Sequence, residues 1–378
     1  MNKIYALTFL NFFVSGGLTL TIPLLLLERK INILEIGVII SVLPLVFLVA
    51  RLLLAFMADL KGWSTFYLLL NWPASVIATC TYFFAASTFM FLIGKIFEAL
   101  KDASYWAVNR TAIFASAPNR EEKAATRNSA VLLLSTAAGS AVAGIGITVF
   151  GFSVTLAIFV AAASAVGFPA ALLARKQNCN WRHHSLEIRN LICLRSYGRT
   201  FWLVSITLMF FSLAFYPLLN LLAPVFMMQI LGFNYLTVGV IYMLFNILAS
   251  IVIFVALRFQ LGRGRVILQS IIAVAASFLL ANSNVYFTGL FLALAVAEGL
   301  AMGFFESIIA KATKNKVSVS VDIGLLHVPM RIAEFVSLLY ASFFVQTVGY
   351  MPLFVSCGIF FTIFSALAYF LLRNSHVV

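Results

Sequence analysis

TIPLLLLERKINILEIGVI (residues 21–39) and LAPVFMMQILGFNYLTVGVI (residues 222–241) are two versions of one pattern. Each runs from a proline late in an apolar stretch (Pro23, Pro224), through a short turn, to a glycine that opens the next apolar stretch (Gly37, Gly239). The offset of about 200 residues recurs: Gly62 and Gly264 keep it, and so do Glu98 and Glu298, in FEAL and AEGL. One offset holding through separate regions implies a chain built twice over, as two halves of the same topology, a plan that places a binding site between the repeats.

The surroundings of the repeat say what medium the halves occupy. Of the 378 residues, 63% are hydrophobic and 10% charged, with a mean hydropathy of +1.06. A soluble domain is nearer half apolar and a quarter charged. Runs such as SVTLAIFVAAASAVGFPAALLA (153–174) are continuous rather than alternating. About 20 helical residues cross a hydrocarbon core of about 30 Å, and a lipid-facing backbone must satisfy its own hydrogen bonds, so the runs read as helices. Spans are predicted at 4–27, 33–57, 66–86, 88–115, 128–150, 153–174, 200–228, 236–257, 266–282, 286–310, 320–345 and 350–372. The expected fold is therefore an all-α integral membrane protein: twelve transmembrane helices in two six-helix pseudo-symmetric halves, 1–174 and 200–378, joined by a basic linker at 175–199. The opening MNKIYALTFLNFF lacks a small-residue cleavage site and runs on apolar to Leu27, so it reads as a retained first span rather than a signal peptide.

A net charge of +13 would suggest nucleic acid in a soluble protein. Here its placement gives another reason. With the N-terminus inside, Lys3, Lys61, Arg120, Lys123, Arg127, the linker arginines and lysine, Arg258, Arg263, Arg265, Lys311, Lys314, Lys316 and Arg373 fall on the inner side, against Arg29 and Lys30 outside. That is the positive-inside bias. It predicts a multi-pass protein of the cell membrane, in contact with lipid, with both termini cytoplasmic and no nucleic-acid partner. The four cysteines form no CxxC pair, so no disulfide framework or metal site follows. HExxH, GxSxG and phosphate-loop motifs are absent, which argues against an enzyme, and no cofactor is implied.

Several motifs resemble the major facilitator superfamily. AFMADLKGWS (55–64) is similar to the family's signature between helices 2 and 3, with Asp59 and Gly62 in register and Ala55, Leu60 and Trp63 departing from it. GKIFEAL (94–100) places Lys95 where the family carries a basic residue, and APNREEKAATRNS resembles the loop before helix 5. GSAVAGIG (139–146) has the glycines of the family's exporter motif without its proline. The resemblance implies a secondary active transporter that rocks two halves around a central site; one chain supplies both halves, so a monomer is sufficient, and proton-coupled movement of a small organic solute is the expected activity. The resemblance also implies a gating role for Asp59 and Gly62, and a path lined by helices 1, 4, 7 and 10. A drug/proton antiporter working in efflux is the alternative, disfavoured by the missing proline; a non-transporting sensor of the same fold is a second.

Charges inside the spans are the remaining signal. GKIFEALKD (94–102) puts Lys95, Glu98, Lys101 and Asp102 into the fourth span. Each charge at the bilayer centre costs roughly 2.5–3.5 kcal/mol, so these groups must pair or face a wet cavity. Lys95, Glu98 and Asp102 fall within about 60° of one another on a helix, with Lys101 further round. Lys95–Glu98 and Glu98–Lys101 have the i,i+3 spacing of ion pairs. In the tenth span Glu298 has no basic residue near it in its own helix, which makes it the expected proton carrier. In the eleventh, His327, Arg331 and Glu334 share a face, with Glu298 or Glu306 placed to meet Arg331. Arg51 lies nearer the inner end of the second span, where it can snorkel. Asn11 and Asn220, the latter between Pro217 and Pro224, are candidate ligand contacts. For all of these residues two readings stand: a substrate or proton pathway, or pairs that hold the spans together.

Overall fold

A computed structural model describes residues 2–61, 64–117, 120–175, 198–259, 263–281, 284–312 and 319–373. Most of the expected linker, Gly62 and the side chain of Asp59 lie outside the described residues. Every described regular element is a helix. Span 1 is Asn2–Glu28, span 2 Ile33–Lys61, span 3 Ser64–Phe83 and span 4 Thr88–Ser116. Spans 5 and 6 share Glu121–Ala165, with Gly167–Arg175 completing span 6. Span 7 is Arg199–Pro217, Leu218–Leu222 and Ala223–Gln229; span 8 is Tyr235–Phe259 and span 9 Arg263–Leu280. Span 10 is Phe287–Ala312, span 11 Val319–Leu326 with Val328–Thr347, and span 12 Met351–Arg373.

Three interruptions have local causes. Gly151 (φ 79°, ψ 175°) breaks the long helix between spans 5 and 6, a conformation that an L side chain rarely adopts. No polar loop is needed there, because one glycine turns the chain. Span 11 breaks at His327, just before Pro329, a residue that belongs in the first turn of a helix and not in its interior. Span 7 carries a π turn, Leu218–Leu222, between Pro217 and Pro224. In that turn the Ala223 N–H reaches back to Leu218 O, and Pro224 has no N–H to offer Leu219 O. The Tyr242 hydroxyl, from span 8, donates to Leu219 O at 2.6 Å and settles the carbonyl left over.

Packing repeats as the sequence does. In the first half span 1 packs on 5, 2 on 4, 3 on 4 and 3 on 6; six spans later, 7 packs on 11, 8 on 10, 9 on 10 and 9 on 12. The halves meet along two seams that the same symmetry relates, 5 against 8 and 2 against 11. The 5–8 seam is close enough to require glycine: a Cβ on Gly144 would lie 2.7 Å from Gly239 Cα and 2.9 Å from Tyr235 O. Span 4 is not among the stretches apolar enough to cross a membrane by composition alone, on account of its charges. It crosses between spans 2 and 3, where packing and ion pairing shield those charges.

Candidate functional site

Between the halves lie two adjoining chambers of about 260 and 290 Å³. They share Phe12, Trp106, Leu132, Leu133, Tyr216 and Arg331 in their walls. The first, at mid-depth, takes its polar lining from spans 1, 4, 5, 7, 8, 10 and 11, including Ser15, Glu98, Asp102, Asn220, Asn246, Glu298 and Arg331. The second, nearer the end of the bundle where the termini lie, is lined by Arg51, Arg110, Ser129, Glu306, His327 and Arg331 among apolar side chains. One row on span 4 links them: Glu98, Asp102, Trp106 and Arg110, at four-residue spacing.

The sequence candidates divide into wall and support. Glu98, Asp102, Asn220, Glu298 and Arg331 line the mid-depth chamber. Lys95, Lys101, Asn11 and Glu334 do not line either chamber; they hold groups that do, or hold neighbouring spans. Lys95 Nζ donates to Glu98 Oε2 at 2.8 Å, and the Tyr82 hydroxyl donates to the same oxygen at 2.6 Å. The fourth-span pairing differs from expectation at Lys101: its Nζ lies 3.0 Å from Asp102 Oδ1, not against Glu98, and it also donates to Ser15 Oγ on span 1. Lys101 points further round the helix, so the adjacent carboxylate is the one it meets. Asn71 of span 3 ties this region together, donating to Asn11 Oδ1 at 2.9 Å and to Lys101 O at 2.8 Å. Asn220 sits in the π turn and donates to Tyr216 O at 2.9 Å.

Span 11 supplies a second locked pair. Arg331 Nη1 lies 2.5 Å from Glu334 Oε2, and Ser212 donates to Glu334 Oε1 at 3.2 Å. The Arg331 guanidinium lies 4.0 Å from the centroid of the Phe47 ring. Neither Glu298 nor Glu306 meets Arg331. Glu306 belongs instead to Arg110 of span 4: Nε to Oε2 at 3.0 Å and Nη2 to Oε1 at 2.7 Å, a bidentate pair across the two halves. Ser129 adds a bond to Oε1 at 3.1 Å. His327 Nδ1 faces Ile323 O at 2.7 Å, so the ring proton belongs on Nδ1 and Nε2 is left to accept from Arg110 Nη1 at 3.4 Å. Arg110 also lies over the Trp106 ring, 4.9 Å from its centroid.

Arg110 was not singled out by the sequence. It stands near the end of span 4, where a basic residue reads as a loop charge, yet it is 6% exposed. Its place in the row that starts at Glu98 was the available signal.

Both ends of the chambers are closed by contacts between halves. Arg110–Glu306 and the hydroxyl pair Thr111–Ser320, at 2.9 Å, close the end near the termini. At the opposite end Tyr235 donates to Glu28 Oε2 at 2.6 Å, beside the Gly144–Gly239 contact.

Glu298 differs from every carboxylate above. It is 6% exposed and lines the mid-depth chamber, its Oε2 is buried without a hydrogen-bond partner, and no basic group lies within ion-pair distance of it among the described residues.

A family model described as Major Facilitator Superfamily matches residues 4–260. No relative is found among curated protein sequences. Among solved structures, the human organic anion transporter MFSD10 (TETRAN) superposes with a TM-score of 0.77 at 15% identity, covering 97% of this chain and 99% of its own. A bacterial homologue of the human lysosomal transporter Spinster, inward-facing and unoccupied, superposes with a TM-score of 0.73 at 13% identity, covering 98% of this chain and 96% of its own.

Proposed function

The chain belongs to the major facilitator superfamily and is a multi-pass membrane transporter; from that premise we propose that it moves a small organic solute by alternating access, coupled to a proton carried by Glu298. The observation behind the coupling is the bare carboxylate in the chamber wall. A carboxyl group there can exist charged or neutral without breaking a partner's bond, which a carboxylate locked to lysine or arginine cannot do. Its protonation therefore changes the charge of the chamber at little structural cost. The path from one side to the other opens by parting one set of closing contacts while the other holds, and Arg110–Glu306 is the strongest of them.

The positive-inside bias supports both termini in the cytoplasm of a cell-membrane protein. The repeat supports bundles at 1–174 and 200–378 with a linker at 175–199, and one chain holding both halves is sufficient as a monomer. The gating role of Asp59 and Gly62 rests on the signature they match. MFSD10 is described as an organic anion transporter; at that identity the likeness carries the fold, and the solute of this chain has to be read from its own residues.

The test uses purified protein in liposomes containing a pH-sensitive dye, challenged with organic acids, amino acids, sugars and organic cations. We expect one class to move protons with it in the wild type and not in Glu298→Gln. Solute flux that ignores a pH gradient, or an unchanged response in Glu298→Gln, overturns the coupling.

A further inference from the structure

Not every charge that lines the chambers has a partner. Glu98, Asp102, Arg110, Glu306 and Arg331 each have an opposite charge within 3.0 Å. Two lining groups have none among the described residues: Glu298 in the mid-depth chamber and Arg51 in the adjoining one. A carboxyl group can shed its charge by taking a proton. A guanidinium cannot, because it stays protonated at any working pH.

Arg51 is 3% exposed, and its Nε and Nη2 are buried with no hydrogen-bond partner. The sequence suggested that it snorkels to the membrane surface. The structure turns it inward, into the chamber wall, beside the Phe47 ring at 5.6 Å from the centroid. A ring takes up part of a cation's field but does not replace acceptors for its N–H groups. Arg331 approaches the same ring, at 4.0 Å, and its Nε is also unpartnered. The nearby carboxylates are committed: Glu306 to Arg110 and Ser129, Glu334 to Arg331 and Ser212. Two guanidinium groups on one aromatic ring thus present free donors that the protein does not fill.

We infer that Arg51, assisted by Arg331, is the docking point for the anionic group of the transported solute, and that the solute is an organic carboxylate with an apolar or aromatic body. The body's character follows from the rest of the wall, where Phe12, Trp106, Met302 and Phe305 line the same chamber. A planar carboxylate matches the guanidinium fork in a way that a point charge or a neutral amide does not. With Glu298 protonated, the one uncompensated lining charge is that of Arg51, which suits a single negative charge on the solute. This inference rests on the transport reading above and names the substrate class for it.

The probes are benzoate and 2-naphthoate, with benzamide and 2-naphthamide as neutral isosteres and benzylamine as the cation of similar size. Thermal stabilisation of the detergent-purified wild type is read for each. The acids should stabilise the protein at concentrations at which the amides and the amine do not. In Arg51→Gln the acid response should weaken by about tenfold or more, the loss of a charge-assisted contact. It should survive in part in Arg51→Lys. Equal responses to acid and amide, preference for the amine, or no response to either acid overturns the inference. So does wild-type acid binding in a folded Arg51→Gln. If Arg51→Gln does not fold, the acid–amide comparison on the wild type decides the matter by itself. The two readings fail separately: acid binding through Arg51 with proton coupling intact in Glu298→Gln sinks the proton assignment alone, and Glu298-dependent coupling to a neutral or cationic solute sinks the anion site alone.

Discussion

Glu98 and Glu298 occupy corresponding places in the fourth and tenth spans, and both line the mid-depth chamber. Glu98 receives Lys95 at 2.8 Å and Tyr82 at 2.6 Å on one oxygen. Glu298 has a buried oxygen that receives nothing. The same residue in the same position of a duplicated architecture has thus been given opposite surroundings. In the first half the carboxylate is part of the scaffold. In the second it is free to change state, and that asymmetry is what lets two near-copies divide support from chemistry.

The largest effect should come from stripping the scaffolded copy. Lys95→Met leaves Glu98 a buried charge with only a hydroxyl partner, and should lower stability by about 3–5 kcal/mol, as breaking buried pairs does. Lys95→Met with Glu98→Met should recover most of that loss, measured by denaturant unfolding in detergent. If the single variant is as stable as wild type, Glu98 is not held by Lys95 and the comparison breaks.

Arg110→Met should follow, because it removes the bidentate cross-half pair. We expect a loss of about 2 kcal/mol for the closed arrangement, hence roughly a 30-fold rise in opening at the end near the termini. A cysteine placed at Met302, in the adjoining chamber, should react correspondingly faster with a polar thiol reagent added from that side. Unchanged reactivity would show that the other contacts carry the closure. Tyr242→Phe, which orphans Leu219 O, should cost about 1 kcal/mol in thermal unfolding, the scale of one hydrogen bond in a membrane bundle. A loss several times larger would mean that the π turn collapses without it.

Glu298→Gln should be the mildest for stability, within about 1 kcal/mol, since no bond is broken and a desolvated charge is removed. It is also the variant that should abolish coupling. A large destabilisation, read in the same unfolding series, would show that Glu298 is scaffold after all and erase the contrast with Glu98.

The fold was legible because lipid imposes a coarse and unambiguous pattern. Apolar runs long enough to cross, and an offset shared by Pro23 and Pro224, Gly37 and Gly239, and the two glutamates, were sufficient for twelve spans in two halves. The site was legible in part for the same reason: charges such as Glu98, Asp102, Glu298 and Arg331 are too costly to place in lipid, so they point to a cavity or a partner. What a single sequence does not carry is which neighbour stands opposite each face. Lys95, Lys101, Asn11 and Glu334 share helices with wall residues but stand behind the wall, the first two and Glu334 paired to groups in it and Asn11 to Asn71. Arg51 read as an end-of-span charge and Arg110 drew no reading at all; both turn inward, because aromatic rings and, for Arg110, a glutamate nearly 200 residues away make room for them.

The π turn in span 7 also bears on how this chain tolerates changes of length. One extra residue is stored there inside a continuous helix, with no loop to absorb it. A residue in an α-helix carries about 100° of rotation and 1.5 Å of rise. Deleting one between Pro217 and Pro224 would spare the flanks that rotation, because the π turn would close to an α turn and leave Arg199–Pro217 and Ala223–Gln229 nearly in their present phase. A deletion elsewhere in the span has no such store to draw on; it would swing one flank by about 100° and take Tyr216 or Asn220 out of the chamber they now line.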